Sequence, residues 1–461
     1  MQMECTWLTK AILVSCLIPF TAIGETLDIT FNPSGTPPGT VTTPIDSISV
    51  ANGVAVQPDG KIVIAGFAVN MGGDSLFALA RYNTNGTLDT SFGVAGIART
   101  SFGVGSNSSI SAVVLQPDGK IVAAGTANVS GTTYFGLARY NSNGTLDTSF
   151  NPSGTIPGTV TIFIADVSEG QAVALQADGK IVVAGFTITI PAVVSYGALA
   201  RYNSDGTLDA SFGIGGKITM LIDTGTRFFD VALQTDGKIV AAGFSVLAGV
   251  TYIALTRYNA NGTLDTTSFG TGTGIVTTLI GTRAAASGIA LQADGKIVVS
   301  GNATVTGIIQ SALARYNSDG TLDTNFNPSG TPLGTVTTPV GTTSQATKIA
   351  LQTDGKIVAA GQATITGITQ FLLARYTSDG TLDATFSPSG MPAGIITTIF
   401  DTSTNGKAQS LAIQVDGKIV VAGQTLIEGA YRFAIARYGI LSSLIESALT
   451  VAIQQKYCLF M

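Results

Sequence analysis

The sequence contains no histidine, a single tryptophan and three cysteines among its 461 residues. Without histidine, imidazole-based acid–base catalysis and histidine ligation of metals are excluded. Cys5 and Cys16 lie in the first 24 residues, so Cys458 would be the one thiol left after removal of that segment. A processed chain would therefore have no internal disulfide, no cysteine-rich zinc site and no CxxC redox pair.

Charged residues are also scarce, at 11% of the chain against roughly 25% in a typical globular domain. The net charge is −5, which excludes a nucleic-acid binder that relies on a basic surface. What the chain has instead is 45% apolar residues and 56 glycines. This composition indicates a packed core built from many short strands joined by tight turns.

The first 24 residues have the organisation of a secretory signal peptide. An apolar run over 11–20 follows Lys10, and small residues at Ala22 and Gly24 precede Glu25. The run is shorter than the roughly 20 apolar residues that a membrane-spanning helix needs. We therefore expect a secreted protein, extracellular or periplasmic. In an alternative, Leu-Val-Ser-Cys over 13–16 is a bacterial lipoprotein processing site, which would leave Cys16 lipid-modified.

Three short motifs each occur seven times at spacings close to 60 residues. The first is DGK followed by Ile-Val, with its aspartate at Asp59, Asp118, Asp178, Asp236, Asp294, Asp354 and Asp416. The second is ARY or TRY, with its arginine at Arg81, Arg139, Arg201, Arg257, Arg315, Arg375 and Arg437. The third is TLD, with its aspartate at Asp28, Asp89, Asp147, Asp209, Asp265, Asp323 and Asp383. A fixed period of this length indicates a repeat architecture.

Each repeat contains four short apolar runs, which we interpret as strands A to D. Runs such as AVALQ and IVVAG are rich in β-branched residues and bounded by Gly, Asp and Asn. DGK predicts a hairpin turn between A and B, because Asp tolerates the turn and Gly supplies a positive φ. Four strands per repeat suit a β-propeller blade better than a solenoid coil.

The two ends of the repeat region complement each other. The region begins with a C–D connection and a D strand near 41–44, and it ends with strands A to C between Ala408 and Tyr438. Pairing of these ends would complete a seventh blade and leave no open sheet edge. The sequence therefore predicts an all-β fold, a seven-bladed propeller of four-stranded blades over 25–438.

The succession of LQxDGKIVVAG and LARYNxDGTLDxSFG at this spacing resembles the delta-60 repeat family of bacterial secreted and surface proteins. The resemblance covers about 25–438, nearly all of the chain after the signal peptide. It implies a bacterial origin and a propeller-like repeat architecture. It brings no assigned active site with it.

The repeated charges are interpreted as scaffold, because a residue needed once for chemistry has no reason to recur in every blade. An arginine inside apolar strand C needs a carboxylate partner, and the candidates are the DGK and TLD aspartates. We assign no catalytic, cofactor-binding or metal-binding residue. The loop Asn203-x-Asp205-Gly206-x-x-Asp209 resembles a calcium loop, but it lacks the first ligand, which favours a plain Asx turn.

Antiparallel blades place the A–B and C–D connections on one face of the ring and the B–C and D–A connections on the other. The first face repeats the same motifs, whereas the second contains the differences between repeats. Binding residues concentrate in loops on a rigid scaffold, so we expect a ligand on the second face, unless its loops are simply unconstrained. The candidate binding residues are Asn70, Asp74, Tyr134, Tyr196, Arg227, Tyr252 and Arg432.

The favoured function is a monomeric, non-catalytic scaffold that binds a protein or glycan at the cell surface, with no nucleic-acid partner and no transmembrane span. One alternative is a hydrolase or lyase that uses carboxylates at the channel mouth; against it, the strands show no unique charged residue of the kind that a catalyst needs. Another is a structural or adhesive protein without a discrete ligand. The segment 439–461 leaves the repeat, and its apolar spacing predicts a short amphipathic helix.

Overall fold

The computed structural model describes residues 25–440, except 104, 106, 391 and 402–404. The expected signal peptide and almost all of the segment after 439 lie outside the described residues. The described chain is all-β apart from one turn of 3-10 helix at Gly270–Gly272. It forms the predicted seven-bladed propeller of antiparallel, four-stranded blades.

Strands A and B form the inner half of each blade. From blade 1 to blade 7, strand A is Ile48–Val56, Asn107–Leu115, Val167–Leu175, Gly225–Leu233, Arg283–Leu291, Thr343–Leu351 and Gly406–Ile413. Strand B is Ile62–Val69, Ile121–Val129, Ile181–Thr189, Ile239–Leu247, Ile297–Val305, Ile357–Ile365 and Ile419–Ile427. The A strands of all blades line a central channel.

Strands C and D form the outer half. Strand C is Ser75–Tyr82, Thr132–Tyr140, Val194–Tyr202, Val250–Tyr258, Ile308–Tyr316, Ile368–Tyr376 and Ala430–Ile440. In blades 1 to 6, strand D is Ile97–Thr100, Thr159–Ile162, Lys217–Met220, Ile275–Thr278, Thr335–Thr338 and Ile395–Thr398.

Blade 7 is completed from both ends of the repeat region, as predicted. Its strand D is the amino-terminal Thr40–Thr43, which pairs antiparallel with Ala430–Ile440, Thr40 opposite Ala436. A further short strand, Glu25–Leu27, pairs with the same carboxy-terminal strand, Thr26 opposite Gly439. The ring is therefore closed by hydrogen bonds between segments about 400 residues apart in the chain.

Strand A of every blade contains a one-residue bulge, which the sequence analysis missed. The bulged residues are Asn52, Ser111, Gln171, Phe229, Ser287, Thr347 and Gln409. The glycine that ends each IVVAG-type run of strand B lies against this bulge. A Cβ atom on Gly243 would lie 1.9 Å from the carbonyl oxygen of Arg227, so only glycine fits there. The recurrent glycine is thus explained by a close backbone approach.

Neighbouring blades are joined by a buried tyrosine at the end of strand C. The Tyr140 hydroxyl donates a hydrogen bond to Thr100 Oγ1 in strand D of blade 1 at 2.8 Å. Tyr82, Tyr316, Tyr376 and Tyr438 form the same kind of pair with a threonine. In blade 2, Ile162 takes the place of the threonine, and the buried Tyr202 hydroxyl of blade 3 has no hydrogen-bond partner among the described residues.

The two faces of the ring differ in construction. The face with the A–B and C–D connections, here the DGK face, repeats the same turns in every blade. The face with the B–C and D–A connections, here the variable face, has B–C turns of only two residues in blades 2, 4, 5, 6 and 7. Longer B–C connections occur in blades 1 and 3. The variable loops are therefore shorter than the sequence differences suggested.

Candidate functional site

The repeated charges form one buried group per blade, near the DGK face. Each ARY or TRY arginine donates from Nε to Oδ2 of a TLD aspartate at 2.7–2.9 Å. The DGK lysine lies 2.9–3.6 Å from the same oxygen. Each guanidinium also stacks on the phenylalanine that follows TLD, at 4.4–4.7 Å. This confirms that the arginines pair with motif aspartates, and it selects TLD over DGK.

The carboxylate of this group accepts from several partners at once, as Asp209 illustrates. Burial alone would raise the pKa of Asp209, but hydrogen bonds from Ser211 and Lys180 and the charge of Arg201 hold it well below its ordinary value of 3.8. The carboxylate is therefore ionised and fully engaged at neutral pH. Such a group holds the blade together and is unsuited to proton transfer.

In blade 7 the same group joins the two ends of the chain. Asp28 accepts hydrogen bonds from Arg437 Nε and lies 3.6 Å from Lys418 Nζ. The Arg437 guanidinium stacks on Phe31 at 4.4 Å. The closure therefore uses the same contacts as the other blades, with the aspartate and phenylalanine supplied by the amino-terminal segment.

Four of the predicted binding residues occupy one equivalent position, the third residue of strand C. Tyr134, Tyr196, Tyr252 and Arg432 lie there in blades 2, 3, 4 and 7. Strands A and B separate them from the channel, and each lies in a different blade. Tyr134 contacts Phe163 edge-on at 6.1 Å, and Arg432 forms an ion pair with Glu428 at 2.6 Å. The structure therefore places them on one face without bringing them together.

Asn70 and Asp74 form the B–C connection of blade 1. The Asn70 Oδ1 atom accepts a hydrogen bond from the Asp74 backbone N–H at 3.0 Å. Met71 between them is fully exposed. Their polar side chains shape a surface turn in a blade remote from Arg227, the seventh predicted residue. Binding by any of the seven stays a prediction.

The channel contains a cavity of about 540 Å³ lined by strands A of all seven blades. The bulged residues project into its wall, and most of them are uncharged and polar. Several tie neighbouring blades together: Asn52 Nδ2 donates to the carbonyl of Ile110 at 2.7 Å, and Ser111 Oγ donates to that of Gly170 at 2.8 Å. A volume of this size is ordinary for a small-molecule site.

One ion pair between a half-buried lysine and a buried aspartate spans this channel wall. Lys348 Nζ of blade 6 lies 2.7 Å from Asp230 Oδ2 of blade 4, across Gly288 of blade 5. The same Asp230 oxygen accepts a hydrogen bond from the Ile289 backbone N–H at 2.9 Å. Asp230 and Lys348 occupy the same position in their blades, directly after the bulge, where the other five blades have Gly53, Ala112, Ala172, Gly288 and Ser410. A charged pair at this position is therefore particular to blades 4 and 6. Neither Lys348 nor Asp230 is among the candidate binding residues predicted from the sequence.

A second unique pair lies nearer the variable face, between blades 3 and 4. Arg227 and Glu169 are the third residues of their A strands, which begin at that face. The Arg227 guanidinium stacks on the Phe186 ring at 4.3 Å, and its buried Nε has no hydrogen-bond partner among the described residues. Burial raises the pKa of Glu169 even though the positive charge of Arg227 opposes this shift.

Three phenylalanine rings accompany this pair. The centroid of Phe229, a bulged residue that lines the cavity, lies 6.4 Å from that of Phe186 and 5.7 Å from that of Phe244. Gln171, also in the cavity wall, approaches Glu169 Oε2 at 3.5 Å. We call Glu169, Arg227, Phe186, Phe229 and Phe244 the blade 3–4 cluster. It joins the cavity to the variable face and has no copy elsewhere in the described ring.

The match to a known family covers the scaffold. Residues 57–92, 116–150, 176–212, 234–267, 292–326, 352–386 and 414–439, together more than half of the chain, match the family described as "Domain of unknown function (DUF5122) beta-propeller". The chain belongs to this DUF5122 beta-propeller family. The first six matched segments run from the DGK turn past the TLD motif, the seventh ends after the ARY motif, and all of them leave out Glu169 and Arg227. The blade 3–4 cluster of this DUF5122 propeller thus lies partly outside what defines the family.

Solved structures with a similar fold are distant in sequence. A PL25 ulvan lyase is 11% identical, with 86% of this chain and 95% of that chain covered and a TM-score of 0.45. The propeller domain of the Trilobed protease from Pyrococcus furiosus is 9% identical, covers 84% and 96%, and has a TM-score of 0.42. No curated protein sequence matches. These likenesses concern the propeller fold and say nothing of the activity of this DUF5122 chain.

Three further observations bear on the sequence predictions. Asp205 forms the expected Asx turn, since its Oδ1 accepts hydrogen bonds from the N–H and hydroxyl of Thr207. Within the described residues, no group of three or more cysteine, aspartate or glutamate side chains is placed to hold a metal ion. No helix in the same part of the chain is long and apolar enough to cross a membrane.

Proposed function

We propose that this DUF5122 propeller is a secreted or surface-displayed binding module, of the delta-60 repeat type that its sequence resembles. It binds a protein or glycan through the variable face and leaves the ligand chemically unchanged. One observation supports this most: a unique arginine, Arg227, lies near that face with a buried N–H that no described group satisfies. A buried donor without a partner is costly, so it points to a group that arrives from outside.

The contrast between the faces supports the same proposal. On the DGK face the repeated arginines, lysines and aspartates satisfy one another in every blade. Glu169, Arg227 and the partly exposed Phe229 lie toward the variable face or the channel below it. Side chains with unused hydrogen-bonding capacity on a rigid ring are those expected to meet a ligand.

A catalytic role is less well supported by this geometry. Hydrolysis by paired carboxylates requires two acidic groups with separate tasks. The channel carboxylate of Asp230 is held by Lys348 Nζ and by the backbone N–H groups of Ile289 and Val231. Glu169, whose pKa burial raises, does not line the cavity, and Asp230 is the one carboxylate among the described residues that do. A hydrolase or lyase therefore ranks second.

The test is binding of the full chain to arrayed glycans and purified cell-surface proteins, with bond cleavage measured in parallel. We expect saturable binding without turnover. Tyr196→Ala and Arg227→Met, on the variable face, should weaken it, whereas Ser204→Ala, in a C–D turn of the DGK face, should not. Turnover of a bound polysaccharide would contradict the proposal in favour of an enzyme. Absence of binding to any ligand would favour a structural or adhesive protein.

A further inference from the structure

We infer that the blade 3–4 cluster binds a carboxylate-bearing sugar unit of an acidic polysaccharide. The inference rests on the proposed function and specifies its ligand. It is argued from three features of the cluster: an oriented guanidinium, an aromatic surface, and an adjoining cavity whose wall is mostly polar and uncharged apart from the Lys348–Asp230 ion pair.

The first feature is the orientation of Arg227. Stacking at 4.3 Å on Phe186 fixes the plane of the guanidinium, and the Nε–H remains without a partner. A planar fork of N–H donors held in this way matches the two oxygens of a carboxylate. Every repeated arginine has such a carboxylate from its own chain, as Arg201 has from Asp209 at 2.8 Å. Arg227 has no carboxylate partner equivalent to Asp209, and the carboxylate of a ligand would take that place.

The second feature is the aromatic surface beside this guanidinium. Phe229 is partly exposed at the channel, and its ring lies within 6.4 Å of Phe186 and 5.7 Å of Phe244, centroid to centroid. The C–H groups on one side of a pyranose ring present an apolar surface that packs against an aromatic face. A phenylalanine next to an arginine therefore suits a sugar whose carboxylate is attached to the ring.

The third feature is the polar wall of the adjoining cavity of about 540 Å³. Besides Phe229 and apolar positions, it presents the amides of Gln171 and Gln409 and the hydroxyl of Ser287. Uncharged donors and acceptors of this kind suit a ligand rich in hydroxyl groups. Glu169, whose pKa burial raises, is a further hydrogen-bonding group for such a hydroxyl. An acidic peptide would present its carboxylate without these hydroxyls, so a sugar fits the surroundings better.

Isothermal titration calorimetry of the full chain with trigalacturonate tests the inference. The comparison ligands are the neutral galactose trimer and a triaspartate peptide. Arg227→Met keeps an unbranched side chain at this position and removes the guanidinium that stacks on Phe186. Arg283→Met is the matched control, because Arg283 is exposed at the start of strand A in blade 5, on the same face. Melting temperatures of both variants show whether the fold is kept.

Trigalacturonate should bind at least tenfold more tightly than the neutral trimer and the peptide. Arg227→Met should weaken it at least tenfold and Phe229→Ala to a similar extent, with Arg283→Met unchanged. Equal binding of the neutral trimer, or of the peptide, would overturn the choice of ligand. If the chain binds other glycans at the variable face but does not bind trigalacturonate, the inference is overturned and the proposed function is kept. Absence of binding to any glycan or surface protein would overturn both.

Discussion

Arg201 and Arg227 belong to neighbouring blades and stack on phenylalanine rings in nearly the same way, at 4.5 Å on Phe212 and 4.3 Å on Phe186. The hydrogen bonding of their N–H groups differs. Arg201 donates from Nε to Asp209 and from Nη1 to the backbone carbonyl of Ala260 in the next blade. The Nε–H of Arg227 has no partner within the described residues.

The difference separates two uses of one residue type in one fold. Arg201 is one of seven arginines that pair with a carboxylate of the chain itself, so its interactions stabilise the ring. Arg227 is one of a kind and incompletely satisfied. We therefore interpret Arg201 as a scaffold residue and Arg227, which is not repeated and has an unmet donor, as a recognition residue.

Low pH should have the largest effect on stability, because it protonates the buried aspartates of all seven repeated groups together. The pKa values of Asp209 and its equivalents are lowered in the folded chain, from an ordinary value of 3.8. Their contribution to stability is complete above about pH 4, where unfolded aspartate is ionised, and is lost as the pH falls toward the lower folded pKa. Circular dichroism should therefore show stability on mild acidification and cooperative unfolding below about pH 4. Unfolding already at pH 6 would contradict this account.

Removing one carboxylate should break a single blade group. Asp209→Ala leaves the buried Arg201 without its acceptor, and we expect the free energy of unfolding to fall by about 3–5 kcal/mol. Chemical denaturation measures this loss.

The matched control is Asp178→Ala. Asp178 lies 3.9 Å from the same Lys180 ammonium, but 57% of its side chain is exposed. Its loss should cost no more than about 1 kcal/mol. If the two substitutions lower the free energy of unfolding equally, burial does not determine how much the group contributes to stability.

Adding one methyl group at a recurrent glycine should test the bulge. In Gly243→Ala the new Cβ would lie 1.9 Å from the Arg227 carbonyl oxygen, so the backbone must shift, at a cost of about 2–3 kcal/mol. Gly406→Ala is the control, because its Cβ would meet nothing closer than 3.4 Å. Thermal unfolding compares the two. A neutral Gly243→Ala would show that the bulge is not required.

The smallest expected effect is a gain in the stability of the fold. Ile162→Thr places a hydroxyl where blades 1, 4, 5, 6 and 7 have the threonine that pairs with the buried tyrosine. A partner for the Tyr202 hydroxyl should stabilise the fold by about 1 kcal/mol, reduced by the lost apolar contact of isoleucine. Ile162→Val is the control that removes apolar volume without adding a hydroxyl. If the threonine variant is no more stable than the valine variant, the hydrogen bond contributes nothing.

The repeat made the ring predictable, because a blade that occurs seven times presents its strands, turns and buried arginines seven times. The complementary half-repeats also predicted the closure through Thr40–Thr43. The partner of each arginine remained open between two aspartates, because both motifs adjoin the same turn region and only packing places TLD within 3 Å.

The candidate site was less predictable because its residues do not recur from blade to blade. Arg227 is among the candidate binding residues predicted from the sequence, but Glu169 is not, and Phe186 and Phe229 look like core residues in the sequence. Their meeting depends on adjacent blades and on the bulge at Phe229, neither of which has a local sequence pattern. The glycine after each IVVA-type run was the available signal for that bulge.

The most direct test of the division between scaffold and recognition measures stability and trigalacturonate affinity side by side for Arg201→Met and Arg227→Met. The account predicts that Arg201→Met lowers the free energy of unfolding by about 3–5 kcal/mol and that its folded fraction binds normally. Arg227→Met should change stability by less than about 1 kcal/mol and weaken binding at least tenfold. If Arg227→Met is as destabilising as Arg201→Met and leaves the affinity of the folded protein intact, Arg227 is scaffold and the account is contradicted.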